Sequence, residues 1–127
     1  MNLVAIVIGF ALIEYFVFGL LVGRARGQYG VAAPAMSGHP IFERYMRVHQ
    51  NTMEQLVVFV PAMLIFGVYV SDTIAALLGL VWIAGRALYL RGYVADPSQR
   101  SLGFALTALP QLVLLLGGIV GAVLAAL

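Results

Sequence analysis

The sequence predicts an all-α integral membrane protein, a bundle of four transmembrane helices, and three observations carry that prediction. Hydrophobic residues make up 63% of the 127-residue chain and charged residues only 9%, whereas soluble domains carry about 25% charged residues. A chain this short cannot hide so much apolar surface in one aqueous core. The apolar residues fall into four long stretches, and all seven arginines lie in or beside the first and third connections between them.

The spans are expected at about residues 3–23, 41–70, 74–91 and 102–127, within one four-helix domain covering 1–127. The first apolar run, Leu3 to Val22, is long enough for a hydrocarbon core roughly 30 Å thick, and Arg24, Arg26 and Gly27 stop it. Met1-Asn2-Leu3-Val4 lacks the basic start of a signal peptide, and no A-x-A-like cleavage site precedes Arg24. The run therefore reads as a retained span. Gln28 to Pro40 holds Gly30, Pro34, Gly38 and Pro40 and reads as an irregular loop. From about Ile41 to Val70 the pattern predicts one long helix with a polar first half and a kink at Pro61, which membrane helices tolerate. Ser71-Asp72-Thr73 is a tight turn, with Asp72 or Ser71 suited to cap the next helix. The third span ends near Arg91, Gly92 to Arg100 forms a loop around Asp96-Pro97-Ser98, and Pro110 is expected to bend the fourth span.

Charge sets orientation and excludes several functions. With the second loop and both termini free of arginine, the positive-inside rule puts loops one and three in the cytoplasm and the termini opposite. The formal charge is only +2, and no basic stripe with interleaved aromatics suggests nucleic acid. No cysteine is present, which removes disulfides, thiol nucleophiles and thiolate metal sites. His39 and His49 lack partners at ligand spacing, so no metal is expected.

Ionisable side chains within spans are expensive and by default face a bundle interior or cavity. At about 100° per residue, Arg47, Asn51 and Glu54 fall within roughly 60° of one another, a polar stripe on the second helix. Arg86, Tyr89 and Tyr93 form a similar stripe on the third. With Arg44, Arg91 and Arg100 they predict a cationic, tyrosine-lined site at the cytoplasmic end. Such a site suits a small polyanion, because arginine pairs carboxylates bidentately and stays charged when partly desolvated. Asn51 and Glu54 add recognition of amide and ammonium groups. The competing reading is that the charges cancel locally, Arg47 with Glu43 or Glu54, and snorkel outward. His49 lies about 160° from Arg47 around the helix. Either it packs at an interface or a ligand sits between subunits. Glu14, at mid-depth on the first helix, reads as a bundle-internal counter-charge or as a transport carboxylate.

Phe42-Glu43-Arg44-Tyr45-Met46-Arg47-Val48-His49-Gln50-Asn51-Thr52-Met53-Glu54 closely resembles the MAPEG family, the membrane-associated proteins in eicosanoid and glutathione metabolism. The family pattern at the start of its second helix, E-R-x-x-R-x-[H/Q]-x-N-x-x-E, is met at each position. Arg86-Ala87-Leu88-Tyr89-Leu90-Arg91-Gly92-Tyr93 is similar to the family's R-x-x-Y-x-x-G-Y, and Arg100 follows at the expected distance. The resemblance implies a homotrimer of four-helix protomers, of bacterial type and in the inner membrane, with glutathione bound between subunits on the cytoplasmic side. It implies glutathione contacts from Arg47, Asn51, Glu54, Arg86, Tyr89 and Tyr93 of one subunit and His49 of its neighbour. Arg26 or Arg24 resembles the arginine that ends the family's first helix. Arg100 is similar to the family's catalytic arginine, which stabilises the glutathione thiolate, and Ser101 takes the place of a serine implicated in the prostaglandin E synthase branch. Gln55 stands where some leukotriene-C synthases carry Tyr.

The function implied is a glutathione-dependent transferase or peroxidase acting on lipophilic electrophiles that arrive from membrane lipid. Two other readings stay open: a non-catalytic lipid- or glutathione-binding scaffold of the same fold, and a small four-helix multidrug transporter coupled through Glu14.

Overall fold

The computed structural model describes residues 1–127, and the chain forms four helices. They are α1 (Asn2–Tyr29), α2 (Pro40–Tyr69), α3 (Asp72–Ala95) and α4 (Ser101–Ala126), with a short 3₁₀ turn at Pro97–Gln99. All four are long and apolar enough to cross a membrane. Only 27 of the 127 residues are buried, and exposed side chains include Phe10, Phe16, Val57 and Leu109. An outer face of that composition needs hydrocarbon as its solvent, and helices suit it because their backbone bonds are satisfied internally.

Helix ends differ from the apolar runs for local reasons. α1 continues past Arg24 to Tyr29 and closes on Gly30, whose φ of 69° is the left-handed cap that glycine adopts freely. Ala25, Arg26 and Gln28 are good helix formers, so the helix outlasts its hydrocarbon-facing part by more than a turn. The first loop is therefore shorter than Gln28 to Pro40. Its end is fixed by His39, whose Nδ1 accepts from Ile41 N–H at 3.1 Å, with Pro40 at the first helical position. α2 then runs unbroken through Pro61, as α4 does through Pro110.

The α2–α3 turn divides its two candidate caps between different helices. Ser71 Oγ accepts from Ile74 N–H at 3.1 Å and caps α3. Asp72 turns instead to α1, accepting from Val4 N–H at 3.1 Å and Leu3 N–H at 3.3 Å. It thereby satisfies donors that the first turn of a helix leaves open. α3 itself continues to Ala95, so Arg91, Gly92 and Tyr93 are helical rather than loop. Gly92 is required there, since an added Cβ would meet the Gln99 carbonyl oxygen at 2.5 Å. The connection to α4 is held by Asp96, which accepts from Ser98 N–H at 3.0 Å. The bond from the Ser98 backbone, and then that from its hydroxyl, keeps the Asp96 carboxyl below its usual range.

α2 and α3 form the centre, each packed on the other three helices, with α1 and α4 on opposite flanks. Trp82 and Phe59 are fully buried and stacked, their ring centroids 4.1 Å apart. The α3–α4 seam is closed by small residues: a Cβ at Gly85 would meet the Leu106 backbone at 2.8 Å, and one at Gly103 would strike the Tyr89 backbone. Small residues at such crossings let helices approach closely where lipid offers no hydrophobic drive. The consequence is that the start of α4 lies directly against Tyr89.

Candidate functional site

The two polar stripes meet at Arg86. Its side chain is fully buried, and Nη1 donates to Asn51 Oδ1 at 2.8 Å and to Thr52 Oγ1 at 3.2 Å. Nη2 donates to Thr107 Oγ1 at 3.5 Å. The guanidinium lies 4.3 Å from the Tyr89 ring centroid and 5.8 Å from that of Trp82, within the range of cation–π attraction. α2, α3 and α4 thus converge on one cation. Sequence patterning does not single out Thr52 and Thr107. Each hydroxyl also bonds its own helix, at Val48 O and Phe104 O, both at 2.8 Å, and such a threonine reads as a neutral helix residue.

Two open cavities flank this cluster. One, of about 420 Å³, is lined by Glu43, Arg44, Arg47, Gln50 and Tyr93, among others. The second, of about 380 Å³, is lined by Asn51, Tyr89, Arg100, Ser101, Phe104 and Ala105. Tyr89 and Tyr93 stand between them with ring centroids 5.6 Å apart. Because Asn51 Oδ1 is taken by Arg86, its amide N–H groups remain for the second cavity. Arg100 gives one N–H to Pro97 O at 3.2 Å and keeps the rest of its fork.

The remaining arginines have different duties. Arg44 donates to the carbonyls of Val94 and Ala95, at 2.9 and 3.3 Å, and so closes the end of α3. Arg26 donates to Ala35 O at 2.6 Å and lies over the Phe42 ring, pinning the first loop. It also lines a shallow cavity of about 470 Å³ with Gly27, Gly30 and Val31, and Arg24 opens onto a separate cavity of about 240 Å³ with Tyr29 and Tyr45. Arg47 is exposed and pairs with neither Glu43 nor Glu54; the chain's one ion pair joins the Met1 amine to Asp72. Arg47 is therefore not cancelled by a carboxylate on its own helix. Glu54 is exposed on the Arg47 face of α2 but lines neither cavity. His49 is turned to α1, stacked on Tyr15 at 4.4 Å and closely opposed to Gly19. Within one chain it does not join Arg47.

Below the cavities, toward mid-membrane, a neutral polar ladder crosses the bundle. Trp82 Nε1 donates to Gln111 Oε1, and Gln111 Nε2 donates to Gln55 Oε1, both at 3.0 Å. Gln55 is thereby tied to α4. Two buried atoms remain without a partner, Glu14 Oε1 and Arg86 Nε.

Comparison with known proteins adds to this geometry. The model of the MAPEG family matches residues 4–120. The chain is 44% identical over 115 residues to an uncharacterized protein of Synechocystis, covering 91% of this chain and 84% of that protein. It is 42% identical over 90 residues to microsomal glutathione S-transferase 2 of Homo sapiens, a match covering 71% of this chain and 61% of the human protein. It is 35% identical over 83 residues to leukotriene C4 synthase of Bos taurus, covering 65% and 55% of the two chains. The human and bovine proteins are thus matched over less than two thirds of their lengths.

Proposed function

The chain belongs to the MAPEG family, and from that premise we propose that it is a glutathione-dependent membrane transferase or peroxidase acting on lipophilic electrophiles. The observation that carries the proposal is the buried Arg86 set between two open cavities, with Arg47 at one and Arg100 and Ser101 at the other. The relatives named as glutathione S-transferase and leukotriene C4 synthase support the same chemistry.

The residues fit glutathione, which carries two carboxylates, one ammonium and a thiol. Arg47 offers an unpaired guanidinium for a carboxylate, and the Asn51 amide offers donors to a carbonyl. Glu54, free of any ion pair and outside both cavities, presents a carboxylate on the exposed Arg47 face of α2, where an ammonium extending beyond the cavity would meet it. Arg86 adds positive potential from beneath while its own N–H groups hold Asn51 and the two threonines in place. Bound glutathione supplies a thiol, as nucleophile or as reductant. A thiol near pKa 8.5 is mostly protonated at neutral pH, and an adjacent guanidinium favours the thiolate. Arg100 fills that role at the second cavity, and Ser101, exposed at the first turn of α4, can orient a polar group of the electrophile. Phe104 and Ala105 line the same cavity and give an apolar co-substrate its surface.

In the same proposal the protein is a homotrimer in a bacterial inner membrane, with loops one and three cytoplasmic. His49, on the far side of α2 from Arg47, would then approach the ligand of a neighbouring subunit. The test is calorimetric titration of the purified protein with glutathione and other small thiols. Arg47→Ala is expected to weaken glutathione binding by about 1.5–3 kcal/mol, the scale of a charge-assisted hydrogen bond. Undiminished affinity in a folded Arg47→Ala protein places the site elsewhere, and a wild-type protein that binds no thiol overturns the proposal.

A further inference from the structure

The inward stripe of α1 is Val4, Val7, Ala11, Phe18, Val22 and Ala25, all buried. At a spacing of three and four residues, the gap in that series falls at positions 14 and 15, both half-buried; Tyr15 stacks on His49, and its neighbour with a buried side-chain oxygen is a glutamate. Glu14 therefore points into the bundle, where an apolar side chain would follow the pattern. Its Oε1 is buried without a hydrogen-bond partner, an arrangement that native interiors rarely leave uncompensated.

The register of the helices shows what it faces. α1 and α3 run parallel, and Val7 abuts Gly79 so closely that a Cβ there would meet Val7 at 2.6 Å. Glu14 and Arg86 each lie seven residues further along, about two turns on the same faces. α2 runs the other way, and the stacking of Tyr15 on His49 brings the Asn51–Thr52 level beside Glu14. Arg86 is a fully buried cation whose hydrogen-bond partners are all neutral, and its Nε is the other buried atom without one. The two orphaned atoms have opposite polarity and share one layer of the core. His49 is the other ionisable side chain near that layer on α2, and it is occupied by its stack on Tyr15.

We infer that Glu14 is the counter-charge of Arg86 and a positioning residue for the site, acting from α1 through Arg86 on α3 to Asn51 on α2. Glu14 acts on the guanidinium through space from the same layer, without an ion-pair contact, the guanidinium fixes Asn51 Oδ1, and Asn51 in turn presents its amide donors to the cavity shared with Arg100. The last link rests on the proposed glutathione reading. The first does not.

The experiment is a pair of double-mutant cycles on the full chain in lipid nanodiscs. In the first, thermal stability is measured for Glu14→Gln, Arg86→Met and the double variant. A buried charge that has lost its partner is the costly species, so the double variant is expected to be no less stable than Arg86→Met alone. Additive losses overturn the pairing, and so does a double variant that fails to fold where Arg86→Met folds. In the second, affinity for glutathione itself is measured for Glu14→Gln, Asn51→Ala and both together. Glu14→Gln is expected to weaken binding about tenfold, on the scale of one charge-assisted hydrogen bond, and to have no further effect on Asn51→Ala. Equal losses in both backgrounds, or unchanged affinity in Glu14→Gln, overturn the positioning role. If wild-type protein does not bind glutathione, the functional reading fails while the stability cycle still decides the pairing.

Discussion

At the scale of single residues, one side-chain type does several jobs because its surroundings differ. Arg86 is sealed in the core among neutral acceptors, Arg44, Arg26 and Arg100 each bond backbone carbonyls, and Arg47 and Arg100 retain unpaired donors at the cavities. A guanidinium acting mainly on a thiolate lowers turnover more than it lowers affinity for the whole tripeptide when it is removed. Arg100→Ala is therefore expected to bind glutathione through Arg47 and Asn51, yet to lose the thiolate ultraviolet band. Its rate of conjugating a model aryl halide should fall by about two to three orders of magnitude, typical for loss of one preorganised electrostatic donor. If Arg100 merely anchors the loop at lipid headgroups, thiolate signal and rate both survive the substitution. Survival of both removes it from the chemistry.

At the scale of elements, the site depends on how closely α4 meets α3. Gly85 and Gly103 face backbone of the opposite helix, so neither can accept a methyl group without separating the pair. Gly23, on α1, has open space around its Cβ position. Unfolding midpoints of the three alanine variants in detergent check this difference. Gly85→Ala and Gly103→Ala are each expected to cost about 1–3 kcal/mol, the range for forcing an extra carbon into a packed seam. Gly23→Ala should gain up to about 1 kcal/mol from helix propensity. Gly103→Ala should also reduce conjugation at temperatures where it is folded, because the displaced α4 start carries Ser101 and follows Arg100. Equal stability of all three variants contradicts the close seam.

At the scale of the whole molecule, two ends differ in kind. Six of the seven arginines lie at the end of the bundle that carries loops one and three, five of them on the adjoining helix ends and Arg100 in loop three, while the other end carries none. The proposed orientation follows from that asymmetry, and the absence of cysteine makes it easy to check. Ala126→Cys is expected to react with a membrane-impermeant maleimide on the outside of intact cells whose outer membrane has been permeabilised. Ser98→Cys should react only after lysis. The reverse pattern inverts the topology and moves the arginine end away from cytoplasmic thiol. The proposed trimer is checked by chemical cross-linking in native membranes. A ladder that stops at three subunits supports it, and a monomer alone contradicts it.

The helical membrane class, the four helices and the arginine-rich end are legible along the chain, because hydrophobic length and charge are one-dimensional quantities. The two stripes are legible in the same way, since Arg47 with Asn51 and Arg86 with Tyr89 are set by helical periodicity. Helix ends were less legible at Arg24 and Arg91, where helix propensity carries the chain beyond its apolar run. Which arginine is buried, which bond carbonyls and which keep donors at a cavity depends on the packing of the helices against one another. That packing alone brought Thr52 and Thr107 to Arg86, linked Gln55 to Gln111, and set Asp72 against α1. Those outcomes depend on the register between helices. That register is fixed by where glycines admit a neighbouring helix, its side chains at Gly79 and its backbone at Gly85 and Gly103, and periodicity within one helix does not contain it.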